Sequence, residues 1–385
     1  MIHLFSLTSP LHNEVAPLME DPFVRGIEKA LGERFAYCGE DFSGYEGADE
    51  RLIYVRTGGT EGIFKSLHLN GEVRLLASGQ SNSLAAAMEI LSFVNASGGR
   101  GKIYHGSPAA IARQLRANES ASARECRWIK PIGPEVNFDG ARLGVIGRPS
   151  DWLIASDVDY AKAAERLGAH LIDIDIRELV DKVKKYPCDL RSFAGSEAIY
   201  SALTEIVREH SLDGLTLRCF DLLDTLGNTG CLALARLNAE GTVAGCEGDI
   251  PTLLTMMLAK KRTGQSGFQC NLSRISGNEL LFAHCTVPLT MVTSFRYATH
   301  FESGIGTAIK GEMPEGPVSI IKISPDLEHM VEIPAELVRN TAEANLCRTQ
   351  VVLRVDDIDS VADYFLSASL ANHHVICGPN GPAKP

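Results

Sequence analysis

The sequence predicts an α/β fold: two doubly wound (flavodoxin- or Rossmann-like) parallel-sheet domains followed by a β-rich C-terminal domain. Through the first third, short apolar runs ending in Gly, Ser or Thr alternate with stretches of helical period. The same alternation restarts near residue 136. After residue 288 it gives way to short β-rich runs separated by Gly and Pro. Strand–helix alternation implies parallel strands covered by helices, whereas short strands between turns imply antiparallel pairing. With 385 residues the chain exceeds the length at which one core stops growing, so two or three domains are expected.

In the first unit, residues 1–135, "IHLFSL", "RLIYVRTGG", "VRLLASG" and "GKIYHGS" read as strands. "FVRGIEKALGERF", "SLAAAMEILSFVNASG" and "PAAIARQLRANESA" read as helices, the second ending at the C-cap signal Gly98-Gly99. "SASARECRWIKPIGPEVNFDG" breaks the rhythm and marks the boundary. The second unit, 136–288, contains strand "ARLGVIG", helix "DYAKAAERLG", strand "AHLIDID", helix "GSEAIYSALTEIVREHS" and strand "GLTLRCF". The third, 289–385, closes with "TQVVLRVDDIDSVADYFLSASLANHHVICG", a strand–helix–strand pattern.

A net charge of −11 with no basic run disfavours a phosphate-backbone partner, so no nucleic acid is expected. No apolar stretch reaches the roughly 20 residues that span a bilayer, and "MIHLFSLTSP" lacks the basic start of a signal peptide. Ten cysteines without C-x-x-C spacing suggest neither a zinc knuckle nor a disulfide framework. These features point to a cytoplasmic protein with no membrane partner. Neither G-x-x-x-x-G-K-[ST] nor a strand-placed G-x-G-x-x-G occurs, which argues against nucleotide binding.

Residues 242–259, "TVAGCEGDIPTLLTMMLA", set two acids, Glu247 and Asp249, among apolar neighbours. A buried carboxylate needs a partner, a proton or a metal. Asp249 stands two before Pro251, the arrangement of a helix N-cap. Glu247 has no such role and follows a strand, at the end where open α/β sheets place ligands. His284 follows the apolar run of "NELLFAHCTVP" and is either a satisfied core histidine or a ligand. His373 and His374 are adjacent at a strand entrance, so at most one faces a given site. Trp152, in "GRPSDWLIAS", is either a core residue or a stacking face for a sugar. Glu302, with His300 in "ATHFESG", lies on a turn near the site or on a solvated loop.

"GCEGDIPTLLTMM", "NELLFAHCTVP" and "NHHVICG", in that order, resemble the L-fucose isomerase and L-arabinose isomerase superfamily. "RTGGTEG" and "LGVIGRPSDWLIAS" are similar to its short, fucose isomerase-like members. The resemblance implies a manganese-dependent aldose–ketose isomerase acting on a small sugar through an ene-diol, assembled as a homo-oligomer. It further implies metal ligands at Glu247, His284 and His374, with Glu247 as a catalytic acid and His373 as a neighbour on the substrate side; Asp249 or Glu302 is the candidate to substitute for the family's second catalytic acid. The family's second acid falls in "GQSGFQCNLSRI", where this sequence carries Asn271. An amide oxygen can coordinate a hard cation but adds no charge and takes no proton. Two alternatives therefore stand beside isomerisation: a non-catalytic sugar- or polyol-binding protein on the same fold, and a related epimerase.

Overall fold

The computed structural model describes residues 1–10, 16–117 and 126–378. Five strands, β1 (Ile2–Leu7), β2 (Ala36–Gly39), β3 (Glu50–Val55), β4 (Glu72–Ala77) and β5 (Arg100–Tyr104), form a parallel sheet in the order β2-β1-β3-β4-β5. This is a doubly wound order whose direction reverses beside β1. Side chains alternate along each strand, so Phe5, Ile53 and Leu75 enter one core while Leu4, Leu52 and Leu76 enter another. Helices α1 (Pro22–Leu31), α2 (Glu61–Ser66), α3 (Ser83–Ala96) and α4 (Pro108–Ala117) connect the strands. α1 and α4 pack in the second core. The last four residues of the predicted helix over 108–121, and 120–125 of the predicted boundary segment, lie outside the described residues.

α3 is apolar nearly all round because it packs on more than one side. It contributes Leu84, Met88 and Leu91 to a core shared with the first sheet and with strands near the C-terminus. Its single acid, Glu89, is fully buried and accepts hydrogen bonds from the Ala155 and Asn372 amides and the Ser156 hydroxyl. One carboxylate thus ties three distant segments together.

A short strand, β6 (Ile129–Pro131), precedes a second parallel sheet of β7 (Ala141–Ile146), β8 (Ala169–Ile174), β9 (Gly214–Leu217) and β10 (Val243–Cys246). Its order is β10-β9-β7-β8. Helices α5 (Tyr160–Leu167), α6 (Ile176–Val183), α7 (Phe193–His210), α8 (Asp221–Leu226), α9 (Cys231–Ala239) and α10 (Ile250–Thr263) surround it. α5 and α10 bury one face, and α6 and α7 the other.

The remaining strands are β11 (Phe268–Ser276), β12 (Glu279–His284), β13 (Ser294–Ala298), β14 (Ala308–Glu312), β15 (Gly316–Ile323), β16 (His329–Thr341), β17 (Thr349–Arg354) and β18 (His374–Cys377). Antiparallel pairing runs β15-β18-β11-β12-β17-β16, and β15 also pairs with β16, so six strands close on themselves. Closure leaves no bare edge among them. β6 adds alongside β16, and β13 and β14 form a separate hairpin. Helix α11 (Ile358–Ser367) packs Val361, Tyr364 and Phe365 into the same core as Phe268 and Phe282.

The molecule is thus mixed α/β, with two parallel sheets and one antiparallel, β-rich sheet. The sheets divide the chain elsewhere than residues 135 and 288. β11 and β12 precede 288 yet pair with β17 and β18, and β6 precedes 135 yet extends the antiparallel sheet. An apolar strand run carries no mark of the partner it will pair with, so the change of texture was legible only two strands late.

Phe282 is fully buried with its ring 6.1 Å from that of Phe365. Truncating it, Phe282→Ala, is expected to cost about 3–5 kcal/mol. Denaturant unfolding of the variant against the parent chain checks this.

Candidate metal centre and its cavity

Glu247 stands at the carboxyl end of β10, as the sequence placed it. Its backbone is left-handed, φ 69°, and Gly248 follows with φ 68°. A non-glycine residue held there costs of order 1–2 kcal/mol and persists only where surroundings fix it. They do. The Gly248 amide donates to the Leu217 carbonyl at 3.0 Å, and the Ser150 hydroxyl donates to the Glu247 carbonyl. A Cβ at Gly248 would lie 3.0 Å from Arg148 O and from the Ser150 amide, so the turn excludes a side chain. With the backbone turned this way, the Glu247 side chain is 16 % exposed and lines a cavity.

Two imidazoles face that carboxylate. Nε2 of His284, at the end of β12, lies 3.6 Å from Oε1 of Glu247, and Nε2 of His373 lies 3.6 Å from the same oxygen. The histidine from the late pair is therefore His373, which corrects the assignment of His374 as the ligand and of His373 as its substrate-side neighbour. His374 points the other way. Its Nε2 meets the Tyr364 hydroxyl at 2.7 Å, its Nδ1 meets the Asn372 carbonyl, and its ring packs against Phe365. Burial pushes His374 down to about 3, so it stays neutral in the core. Adjacent residues entering a strand take opposite faces, and the motif alone could not say which face was which.

Asp249 also departs from its expected catalytic part. It is fully buried and does not line the cavity. One oxygen accepts from the Thr252 amide at 2.7 Å and caps α10. The other sits 2.9 Å from Nδ1 of His373 and 3.6 Å from the Lys322 ammonium, itself bonded to the Thr252 hydroxyl. Asp249 thus holds the His373 ring so that Nε2 is turned toward Glu247, the carboxylate–histidine arrangement that orients metal ligands.

The charges follow from the packing. Burial alone would raise the Asp249 carboxyl, but Lys322 and His373 outweigh it and hold it at about 2. Burial would likewise lower His373, yet Glu247 and Asp249 raise it to about 10. For Glu247, too, burial raises the carboxyl, and the His373 and His284 imidazoles more than reverse that, holding it below its ordinary 4.5. Lys322 is lowered by its complete burial against the pull of Asp249 and Glu89.

The cavity measures about 380 Å³, within the roughly 300–1,000 Å³ typical of small-ligand sites. It lies where the carboxyl ends of both parallel sheets meet the antiparallel strands. Glu247 and Asn271 line it, as do Trp152 and Glu302. Trp152 packs edge-on against Phe220 at 5.3 Å with the Arg218 guanidinium over its ring, and Glu302 accepts from the Asn82 amide at 2.6 Å. His300, by contrast, is turned to Ser303 and Phe220.

Sequence reasoning passed over Glu61, Asn82, Phe220 and Asn372, which also line the cavity. The available signal was position. Glu61, Asn82 and Phe220 each follow the carboxyl end of a parallel strand. The glycines of "RTGGTEG" belong to the same wall: a Cβ on Gly58 would meet the Asn82 Cβ at 3.0 Å and Glu302 Oε1 at 3.3 Å.

Whether these residues suit a metal ion can be read from their unmet bonds. Nε2 of His373 and Oδ1 of Asn271 are buried polar atoms without a hydrogen-bond partner. Native interiors seldom leave such atoms bare unless something occupies them. Cys246 Sγ, a Glu247 oxygen and a His284 nitrogen lie within 4.8 Å of one another. The Cys246 thiol itself rests 3.2 Å from that of Cys219. Nitrogen and oxygen donors that converge in this way fit a divalent ion.

Fold and site together define a mixed α/β protein with a buried Cys–Glu–His group that can hold a metal ion. No family model matches the chain, and no curated protein matches it either. Among the described residues, no helix is long and apolar enough to cross a membrane.

Replacing Asp249 by Ala strands a buried lysine, and is expected to cost about 3–5 kcal/mol in denaturant unfolding. Adding Lys322→Met should recover much of that loss, because the uncompensated charge is then gone. Linkage gives the pH dependence of chelator-treated protein. The Asp249 contribution is present above 3.8 and lost as pH falls through 2, while the His373 contribution is present below 6.5 and lost as pH rises through 10. Melting temperature against pH should therefore fall on both arms, and His373→Gln should flatten the alkaline one.

Proposed function

We propose that the chain is a divalent-metal-dependent ketol isomerase that interconverts an aldose and a ketose of a small monosaccharide through an ene-diol. The observation that carries this reading is convergence. Glu247, which lines the cavity, is met from behind by His284 and His373 of two other segments, with an orphaned nitrogen on His373 and an orphaned amide oxygen on Asn271 of the same cavity. Glu247, the two imidazoles and the Asn271 amide oxygen would hold the ion. Manganese suits this nitrogen- and oxygen-rich set, since the one nearby thiol lies against a second sulfur. When bound, such a cation supplies the Lewis acid that polarises the sugar carbonyl. The chain's own part is to orient the sugar. The faces of Trp152 and Phe220 offer it apolar surface, and Asn82, Asn372 and Glu302 offer hydrogen bonds to hydroxyls.

The strand orders support two flavodoxin-like domains followed by a β-rich one. Ten free thiols suit a reducing, cytoplasmic setting. Exposed Phe193 and Phe295, each in ring contact with exposed Tyr297, support self-association into a homo-oligomer.

Asn271 favours a second reading, in which the same cavity binds a sugar or polyol without turnover, or epimerises it. The deciding measurement is incubation of manganese-loaded protein with a panel of aldoses and ketoses in deuterated water. Isomerisation predicts a ketose product carrying solvent deuterium at C1. Deuterium at C2 without a ketose would indicate epimerisation, and a sugar-induced thermal shift without exchange would indicate binding alone. Glu247→Gln is expected to lose both the turnover and the bound manganese, as read by elemental analysis.

A further inference from the structure

The wall of the cavity contributed by the first sheet contains an acid, the glutamate of "RTGGTEG", that has no part in the metal centre and no role assigned from the sequence. Glu61 is the first residue of α2, separated by the cap residue Thr60 from the glycine pair in the loop after β3. Its side chain is buried at 4 % exposure and lines the cavity. Its Oε2 has no hydrogen-bond partner, and neither does the Oδ1 of Asn82 nearby. Three of the residues lining this cavity are carboxylates, Glu61, Glu247 and Glu302, and among the described residues that line it there is no lysine or arginine. Glu247 faces two imidazoles, and Glu302 is held by Asn82. Of the three, Glu61 is the one that carries a fully buried carboxyl oxygen with no partner while its side chain lines the cavity.

We propose that Glu61 is the catalytic acid–base group of the cavity, the residue that carries a proton between the two carbons of the bound sugar. The proposal rests on the isomerase reading and deepens it: Asn271 supplies no proton acceptor, and Glu61 does. In the step assigned to it, the C2–H bond breaks, the proton goes to the Glu61 carboxylate, and the electron pair forms the C1–C2 double bond. The carbonyl pair moves onto O1. Glu61 then returns its proton to C1, the hydroxyl proton of O2 passes to O1, and O2 becomes the new carbonyl oxygen. No electron leaves the sugar, so no redox partner is needed.

The surroundings tune the group for this task. Burial pushes the Glu61 carboxyl up to about 8, helped by the negative charges of Glu89, Glu247 and Glu302 and only partly opposed by its own backbone amide. A catalytic group works best with its pKa near the operating pH, where it both accepts and returns a proton. A carboxylate at its ordinary 4.5 is a weaker base and would draw a proton from carbon poorly.

The test uses the full-length manganese-loaded protein and the same sugar panel in deuterated water. Glu61→Gln keeps the size of the side chain but carries no proton. It should slow hydrogen exchange at the sugar carbon by about 10²–10⁴-fold while leaving the manganese-induced rise in melting temperature unchanged. Exchange at the parental rate in that variant overturns the assignment. A parent protein that exchanges no sugar refutes the isomerase reading itself, and the Glu61 role falls with it; the two failures differ in whether the parent or only the variant is inert. Independently of turnover, carbon NMR of glutamate-labelled protein should show, beside the raised Glu89 and Glu302, a carboxyl titrating near 8 that is missing from Glu61→Gln. Ionisation of every glutamate carboxyl well below pH 7 overturns the proposal. Should Glu61→Gln not fold, Glu61→Asp, which draws the carboxyl back by one carbon, should still slow exchange, and an unchanged rate there overturns it as well.

Discussion

The 2.9 Å contact between the Asp249 carboxylate and Nδ1 of His373 is the interaction on which the site hangs. Asp249 begins α10, which packs against the second parallel sheet, while His373 immediately precedes β18 of the antiparallel sheet. The bond therefore fixes one sheet against the other and sets the ring in one orientation. Its cost is the burial of a carboxylate with no access to solvent. Lys322 offsets that cost from β15, and the Thr252 hydroxyl occupies one of the ammonium protons. Exchanging the network for apolar side chains would often be neutral or favourable in stability. What apolar side chains could not do is aim an imidazole nitrogen at Glu247.

The same economy recurs around the cavity. Glu89 lies in the middle of an otherwise apolar helix, where an acid is costly, and yet its two oxygens hold the loop after Ile154 and the segment before His373. Left-handed, non-glycine backbone occurs at Asn82, Arg148, Glu247 and Ala371, all in loops near this meeting of sheets. Buried charge gathers where strand ends converge, and the cores behind them are conventionally apolar. That distribution is expected when packing energy from the bulk of a fold sustains a locally unfavourable arrangement.

Most of the parallel architecture was legible because each strand and helix carries its own period. β1, β3, β4, β5, β7, β8 and β9 all fall on apolar runs visible in the sequence. α10 begins where Asp249 and Pro251 said it should. β2 was missed because "AYCG" is four residues long and half-buried throughout, giving no alternation to read. Closure of the antiparallel strands was invisible for a different reason: pairing of β15 with both β18 and β16 is a relation between distant segments, not a local pattern. The site divided in the same way. Glu247 and His284 could be chosen because each interrupts an apolar run with a group that dislikes burial. His373 could not be separated from His374, since only the register of β18 against β11, with His374 opposite Cys270, decides which ring faces the acid.

Asn271 shows why the wall opposite matters. An acid at that position would add a second negative charge beside Glu247 and a second proton acceptor on the metal side of the cavity. The amide gives neither, leaving one carboxylate beside two imidazoles. In the proposed reaction some negative charge must still balance the ion, and some group must still accept a proton. Glu61 and Glu302 are the carboxylates that share the cavity without touching that centre through any of the described contacts. Separating the two duties has a physical advantage. A carboxylate bound to a cation is held ionised and is a weak base, whereas one set apart in an apolar wall keeps its affinity for protons. In the proposed isomerisation an acid at position 271 is not required, because Glu61 lines the same cavity and supplies the proton acceptor.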